Sequence, residues 1–224
     1  MNVITIENMH KIYHENSTEE FEVLKNINLV VKKNEMVIVS GVSGSGKSTL
    51  LSLVAALEKP SSGKIIVLEE LVSKLPDIHA SKYRAKHIGI IFQNFNLLES
   101  LSVETNVMAP LIHSGLTFSQ IEEKVQYSMK LASIEHKATQ EIRLLSGGEK
   151  QRCAIARALV HNPELILCDE PTANLDKENT LKFISLLETL QELGKTIVIA
   201  THDPLFDTLT CVSRVIKMEN GRIL

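Results

Sequence analysis

No stretch of this 224-residue chain approaches the roughly 18 consecutive apolar residues of a membrane-spanning helix. Its apolar runs, such as Met36–Val39, Leu165–Cys168 and Ile197–Ala200, have strand length. Any work at a membrane therefore needs another chain to supply the spans. Cysteine is scarce: Cys153, Cys168 and Cys211 are odd in number and too widely spaced for a zinc cluster, as expected of a reduced, cytosolic protein. There is no excess of positive charge. The formal net charge is −3, and lysine and arginine are scattered rather than gathered in a stripe, which argues against a nucleic-acid surface. Internal repeats, low-complexity tails and sustained heptads are also missing. The amino terminus has neither a basic region nor a small-residue cleavage site, so no signal peptide is expected. The length admits one α/β domain with an attached lobe, but not two complete catalytic domains.

What is present is a change of rhythm along the chain. Strands are expected at Val3–Glu7, Glu22–Val31 and Met36–Ser40, with a polar loop at 14–20 between the first two. A helix over Lys47–Leu57 places Leu50, Leu51, Val54 and Leu57 on one face, and Pro60 to Gly63 break it before a strand at Lys64–Leu68. A helix at Pro76–Arg84 and a strand at Ile88–Phe92 follow. From residue 94 to 161 only helices are expected, at Val103–Ile112, Phe118–Leu131 and Glu149–Val160. Alternation then returns with a strand at Leu165–Asp169, a helix near Thr180–Leu193, a strand at Thr196–Thr201 and a hairpin around Glu219–Arg222. The fold class expected is α/β, with a mainly parallel sheet, an N-terminal antiparallel β subdomain and an inserted helical lobe. The core would be residues 1–93 and 162–224 of a single 224-residue domain, and the lobe residues 94–161.

The chemistry gathers in three places. Gly41-Val42-Ser43-Gly44-Ser45-Gly46-Lys47-Ser48 matches G-x-x-x-x-G-K-[ST], the P-loop, between an apolar strand and an apolar-faced helix, so the α/β fold expected is that of a P-loop NTPase. Around a triphosphate, Gly44 and Gly46 allow close backbone approach, Lys47 neutralises the β/γ oxygens, and Ser48 ligates Mg²⁺. Thr49 would donate toward the inner phosphates. A plain glycine-rich turn would have no need of Lys47 and Ser48 where the helix dipole already favours an anion. Asp169 and Glu170 end the apolar run from Leu165, at the carboxyl end of a buried strand, where open α/β sheets bind ligands. Asp169 suits a Mg²⁺ position and Glu170 a general base; the plain alternative is two acids opening a solvated loop. Ser146-Gly147-Gly148-Glu149 reads as a capping box. Capping accounts for Ser146 and Glu149 but not for two adjacent glycines, which suggests a second helix start approached by an anion. His10 and His14 would not converge from a strand, so no metal role is expected of them.

Leu145-Ser146-Gly147-Gly148-Glu149 before Lys150-Gln151-Arg152, together with the P-loop, resembles the ATPase subunits of ATP-binding cassette (ABC) transporters over essentially the whole chain. Phe92 to Leu98 and Thr201 to Pro204 are similar to the branch that powers macrolide or peptide export and lipoprotein release. The chain departs from many members at Glu149, where they carry Gln, and at Glu141-Ile142, where they carry an aromatic and a proline. No regulatory domain like that of some import ATPases is expected after Leu224.

The resemblance implies ATP and Mg²⁺ as ligands and a second copy of the chain as partner, with Ser146, Gly147 and Gly148 contacting the γ-phosphate held by the other copy's P-loop. Asp176 would face the opposite nucleotide site, and Gln93 would reach Mg²⁺ and the attacking water. His202 would sense the γ-phosphate, and Tyr13 would stack on adenine. It further implies a membrane permease docking near Gln93–Ser100 at the cytoplasmic face of the cell membrane, and no nucleic acid. Phe95, Leu97 and Leu98 form an apolar cluster there, read either as a docking cleft or as a small local core. Two functions fit at this level: powering the export or extraction of a hydrophobic or peptide-like substrate, or driving mechanotransmission like the cell-division relatives.

Overall fold

Three strands, β3 (Met36–Ser40), β7 (Leu165–Asp169) and β8 (Thr196–Thr201), are almost wholly buried, because each is covered on both faces. Alternate side chains serve two separate cores. Val37, Val39, Leu165, Leu167, Val198 and Ala200 join one, and Met36, Ile38, Ile166, Cys168, Ile197 and Ile199 join the other. Each Val, Leu or Ile so buried stabilises the fold by roughly 1.5–3 kcal/mol relative to exposure.

The computed structural model describes residues 1–15 and 17–224; the loop expected at 14–20 includes residue 16, which lies outside the described residues. The remaining strands are β1 (Asn2–Tyr13), β2 (Phe21–Lys32), β4 (Ser62–Val67), β5 (Glu70–Leu71), β6 (Ile88–Ile91), β9 (Arg214–Glu219) and β10 (Arg222–Ile223). The helices are α1 (Lys47–Val54), α2 (Asp77–His87), α3 (Val103–Met108), α4 (Phe118–Leu131), α5 (Gly147–Leu159) and α6 (Lys177–Glu192). One sheet has the order β10-β9-β3-β8-β7-β6 and is parallel except for the terminal hairpin. The other, β2-β1-β4-β5, is antiparallel throughout. Helix α1 buries Leu50, Leu51, Leu53 and Val54 in the core shared with the antiparallel sheet, whereas α5 and α6 cover the opposite face. Between β6 and β7 the described residues form only helices, turns and one isolated bridge, Ser102 to Glu141. No helix among the described residues is long and apolar enough to cross a membrane.

Several boundaries differ from the sequence pattern, for local reasons. β1 runs six residues beyond the expected Glu7, because a register shift between Ile6 and Met9, with Asn8 at φ 45°, breaks the alternation without ending the ladder. Helix α1 stops at Val54 rather than Leu57, with Ala56 left-handed at φ 51°. The helix expected through Ile112 gives way after Met108 to a 3₁₀ turn, Ala109–Leu111, at Pro110, which has no N–H for the ladder. Helix α6 begins three residues early, at Lys177, because the Asp176 carboxylate caps it.

Candidate nucleotide site

The carboxyl ends of β3, β6, β7 and β8 deliver the P-loop, Gln93, Glu170 and His202 to one cleft of about 430 Å³. Tyr13, Ser43, Gly44, Gly46, Lys47, Ser48 and Thr49 complete the wall on the expected side. Phe21 and Val23 line it too, and the sequence reading named neither. Phe21 pairs with Tyr13 across β1 and β2, with ring centroids 5.6 Å apart. It lies just before the strand expected from Glu22, a position that says nothing about a ligand. The Tyr13 hydroxyl donates to Glu58 at 2.7 Å, and burial, with Glu58 beside it, raises its pKa.

Glycine shapes the loop where the backbone must turn left-handed. Gly44 and Gly46 have φ of 79° and 101°, and a Cβ on Gly44 would meet open space, so what forbids a side chain there is the backbone itself. Helix α1 therefore begins with no side-chain cap, its first N–H groups facing the cleft. The Lys47 side chain is 5% exposed, and its ammonium donates to Gly41 O at 2.7 Å and Val42 O at 3.1 Å and lies 3.5 Å from Glu170 Oε1. Among the described residues the buried Ser45 hydroxyl has no hydrogen-bond partner, an orphaned polar atom within a loop built to hold anions.

Asp169 and Glu170 diverge from the end of β7. The Ser48 hydroxyl donates to Asp169 Oδ1 at 2.8 Å, and burial raises the Asp169 pKa against that bond. A desolvated carboxylate beside a hydroxyl is an oxygen donor set that fits a hard divalent cation. Glu170 has φ 44°, and its N–H donates to Ala200 O at 2.8 Å. Its carboxylate accepts from the Thr201 hydroxyl at 3.3 Å and the His202 N–H at 3.4 Å, and lies 3.0 Å from His202 Nδ1. Gln93 is exposed, and its carbonyl accepts from Asn174 Nδ2 at 3.1 Å.

Ser146, Gly147, Gly148 and Asp176 do not line this cleft. Ser146 caps α5: its hydroxyl accepts from Glu149 N at 3.4 Å, and the Glu149 carboxylate accepts from Ser146 N and Oγ, each at 2.8 Å. Those bonds, the backbone one first, lower the Glu149 pKa to about 2, with Lys137 3.3 Å away. The two glycines differ in what surrounds them: a Cβ on Gly148 would come within 2.9 Å of the Asn179 side chain of the same chain. Internal packing explains Gly148. Gly147 has only ordinary contact, at 3.6 Å from Asn174 O, and stays open to an approaching group. Asp176 caps α6 by accepting from Asn179 N at 2.8 Å, which lowers its pKa. The approach to α5 past Glu141 and Ile142 is a 3₁₀ turn, tied by Ile142 N to Leu101 O and Arg143 N to Glu99 O, both at 3.1 Å. Further along α5, the Arg157 guanidinium donates to the carbonyls of Phe95 and Asn96.

Residues 24–173 match the family model described as ABC transporter. The chain is 39% identical over 225 residues to the macrolide export ATP-binding/permease protein MacB of Campylobacter jejuni, covering 99% of this chain and 34% of that protein. It thus spans about a third of the length of the macrolide-export relatives it matches. An uncharacterized ABC transporter ATP-binding protein of Thermotoga maritima is 38% identical over 203 residues, covering 90% of this chain and 86% of that one. A dimeric ATP-binding cassette solved in a post-hydrolysis state with ADP and Pi superposes with a TM-score of 0.90 at 36% identity, over 98% of this chain and 96% of that one. Sequence, fold and cleft agree, and the chain belongs to the ABC transporter family as an ATP-binding domain of the ABC ATPase type.

Proposed function

We propose that this domain hydrolyses ATP in a dimer of two copies and powers a separate membrane permease at the cytoplasmic face, in the export or extraction of a hydrophobic or peptide-like substrate. The observation that carries the chemical part is the convergence of Lys47 and Glu170, 3.5 Å apart, on a cleft walled by an uncapped helix start. Lys47 and the N–H groups of the P-loop bind the β- and γ-phosphates, and Tyr13 offers its ring to the base. Mg²⁺, which Ser48, Asp169 and Gln93 would hold, neutralises charge on the phosphate oxygens when bound. Glu170 orients the attacking water and takes its proton as the new P–O bond forms and the bond to ADP breaks. His202 holds the Glu170 carboxylate through Nδ1 and turns its exposed edge toward the γ-phosphate. The copy across the dimer supplies Ser146, Gly147 and Gly148, with Asp176 beside them, which accounts for their lying outside the cleft of their own chain.

Residues 94–161 act as a lobe that moves against the rest of the domain, and the permease docks where the two meet, on Gln93–Ser100. Leu97 packs into the core, whereas Leu98 is 54% exposed, so Leu98 is free to meet a partner. Dimerisation and a permease partner are supported by the dimeric cassette and by the ATP-binding/permease naming of the macrolide-export relatives.

The test of the chemistry is Glu170→Gln. Turnover falls by about 10²–10⁴-fold while ATP still binds and the ATP-bound dimer persists long enough to be seen by gel filtration. Near-normal hydrolysis removes Glu170 from the role. The test of docking is Leu98→Asp, which abolishes co-purification with the membrane partner because a charge is buried unpaired, yet leaves nucleotide binding and thermal midpoint unchanged. Unchanged association places the permease contact elsewhere.

A further inference from the structure

Gln151 lies on α5, away from the nucleotide cleft, yet its side chain is 2% exposed and its Nε2 donates to Pro171 O at 2.6 Å. An amide buried without a partner costs roughly 1–3 kcal/mol, so the position favours an apolar residue unless that bond is wanted. The acceptor belongs to the residue that follows Glu170. Glu170 is left-handed at φ 44°, a conformation costing a non-glycine residue on the order of 1–3 kcal/mol, and a following proline steers it away from helical geometry as well. Such a backbone persists only when it is held from outside. Glu170 itself is held by its N–H to Ala200 O at 2.8 Å and by the Ala173 N–H to its own carbonyl at 3.2 Å; the Gln151 amide adds a hold one residue on, at the Pro171 carbonyl.

We propose that Gln151 is a positioning residue for Glu170, tying the direction of the catalytic carboxylate to the placement of the helix that carries Ser146. Gln151 stands five residues after Ser146, roughly 7.5 Å along the axis at 1.5 Å per residue, so a shift of the helix start is felt at Pro171. The same helix is tied to α6 nearby through Arg152 Nη1 to Asn179 Oδ1 at 3.0 Å, so a displacement of α5 is shared with α6. When the start of α5 closes on the opposite copy's nucleotide, Gln151 carries the Pro171 carbonyl with it and sets Glu170 for its own nucleotide. Each site then readies its base only as its chain engages the other site. This rests on Glu170 being the general base.

The experiment compares Gln151→Met, which keeps length and loses the donor, in the wild-type and Glu170→Gln backgrounds, by single-turnover hydrolysis with Mg²⁺ and ATP. In the wild-type background kcat falls on the order of 10- to 100-fold, the scale of a misplaced catalytic group, while KM for ATP and ATP-dependent dimerisation hold. In the Glu170→Gln background the same change alters residual turnover by no more than about twofold, because the group being positioned is already gone. Equal losses in both backgrounds, or an unchanged kcat in folded protein, overturn the proposal. Where the methionine variant does not fold, Gln151→Leu serves the same comparison. A Glu170→Gln protein with normal turnover overturns the base assignment itself, a separate result from loss of the Gln151 effect.

Discussion

At the start of α1 the chain supplies a cation, Lys47, and no side-chain cap; at the start of α5 it supplies a complete capping box and an anion, Glu149. Both are helix starts rich in glycine and serine, and both expose N–H groups with the positive end of a helix dipole behind them. Helix α1 leaves those groups for a ligand. Helix α5 satisfies part of its own demand, and its Glu149 carboxylate, with a pKa lowered to about 2, stays ionised at any working pH. A phosphate coming to α5 meets a helix start whose cap is already satisfied and whose carboxylate is paired with Lys137 at 3.3 Å. With its own cap satisfied, the second start has fewer free N–H groups for a ligand than α1, and in the proposed dimer it would meet a phosphate that the other copy's lysine already binds. That asymmetry gives physical content to a site shared between two copies: one half binds and the other closes.

The comparison is broken most forcefully at the binding half. Lys47→Ala removes a charge-assisted interaction worth roughly 1.5–3 kcal/mol and weakens ATP binding by about 10- to 100-fold, measured by titration calorimetry. Full affinity in that variant makes the two helix starts equivalent and ends the distinction.

A smaller effect sharpens the other half. The Glu149 pKa is depressed in the fold, so its contribution to stability is present above the ordinary value near 4.5 and is lost as pH falls through about 2. Glu149→Gln cannot titrate and keeps an acceptor for Ser146 N. Urea unfolding between pH 5 and 3 then shows a shallower loss of stability in the variant than in the parent. Parallel curves remove Glu149 as the source of acid sensitivity at this cap.

Much of this arrangement was legible because the responsible physics is local. Phe118–Leu131 forms the helix its periodicity predicts, and the strands at Met36, Leu165 and Thr196 have the expected limits, since buried parallel strands announce themselves as short apolar runs. The P-loop and Glu170 stand at strand ends whose residue types already indicate a ligand, whereas Gln93 and His202 follow from the family resemblance; the fold brings all of them to one cleft. What stayed hidden depends on partners distant in sequence. Gly148 is explained by Asn179, thirty-one positions later, and Phe21 enters the cleft only through its pairing with Tyr13. The bulge at Asn8 and the left-handed Ala56 carry no glycine or proline to mark them, so β1 and α1 ended where the pattern did not say.

The central claim, that one nucleotide site is built from two chains, is tested most directly by mixing two lesions in the Glu170→Gln background, where hydrolysis no longer disperses the dimer. One copy carries Lys47→Ala and the other Ser146→Arg, and ATP-dependent association is followed by size-exclusion chromatography with light scattering. If P-loop and α5 start meet across a two-fold axis, both lesions fall in one site of the mixed dimer and leave the second intact. Each variant alone then fails to associate on ATP, and the mixture regains a dimer. A mixture that stays as monomeric as its components contradicts the shared site and returns Ser146 to the role of a helix cap.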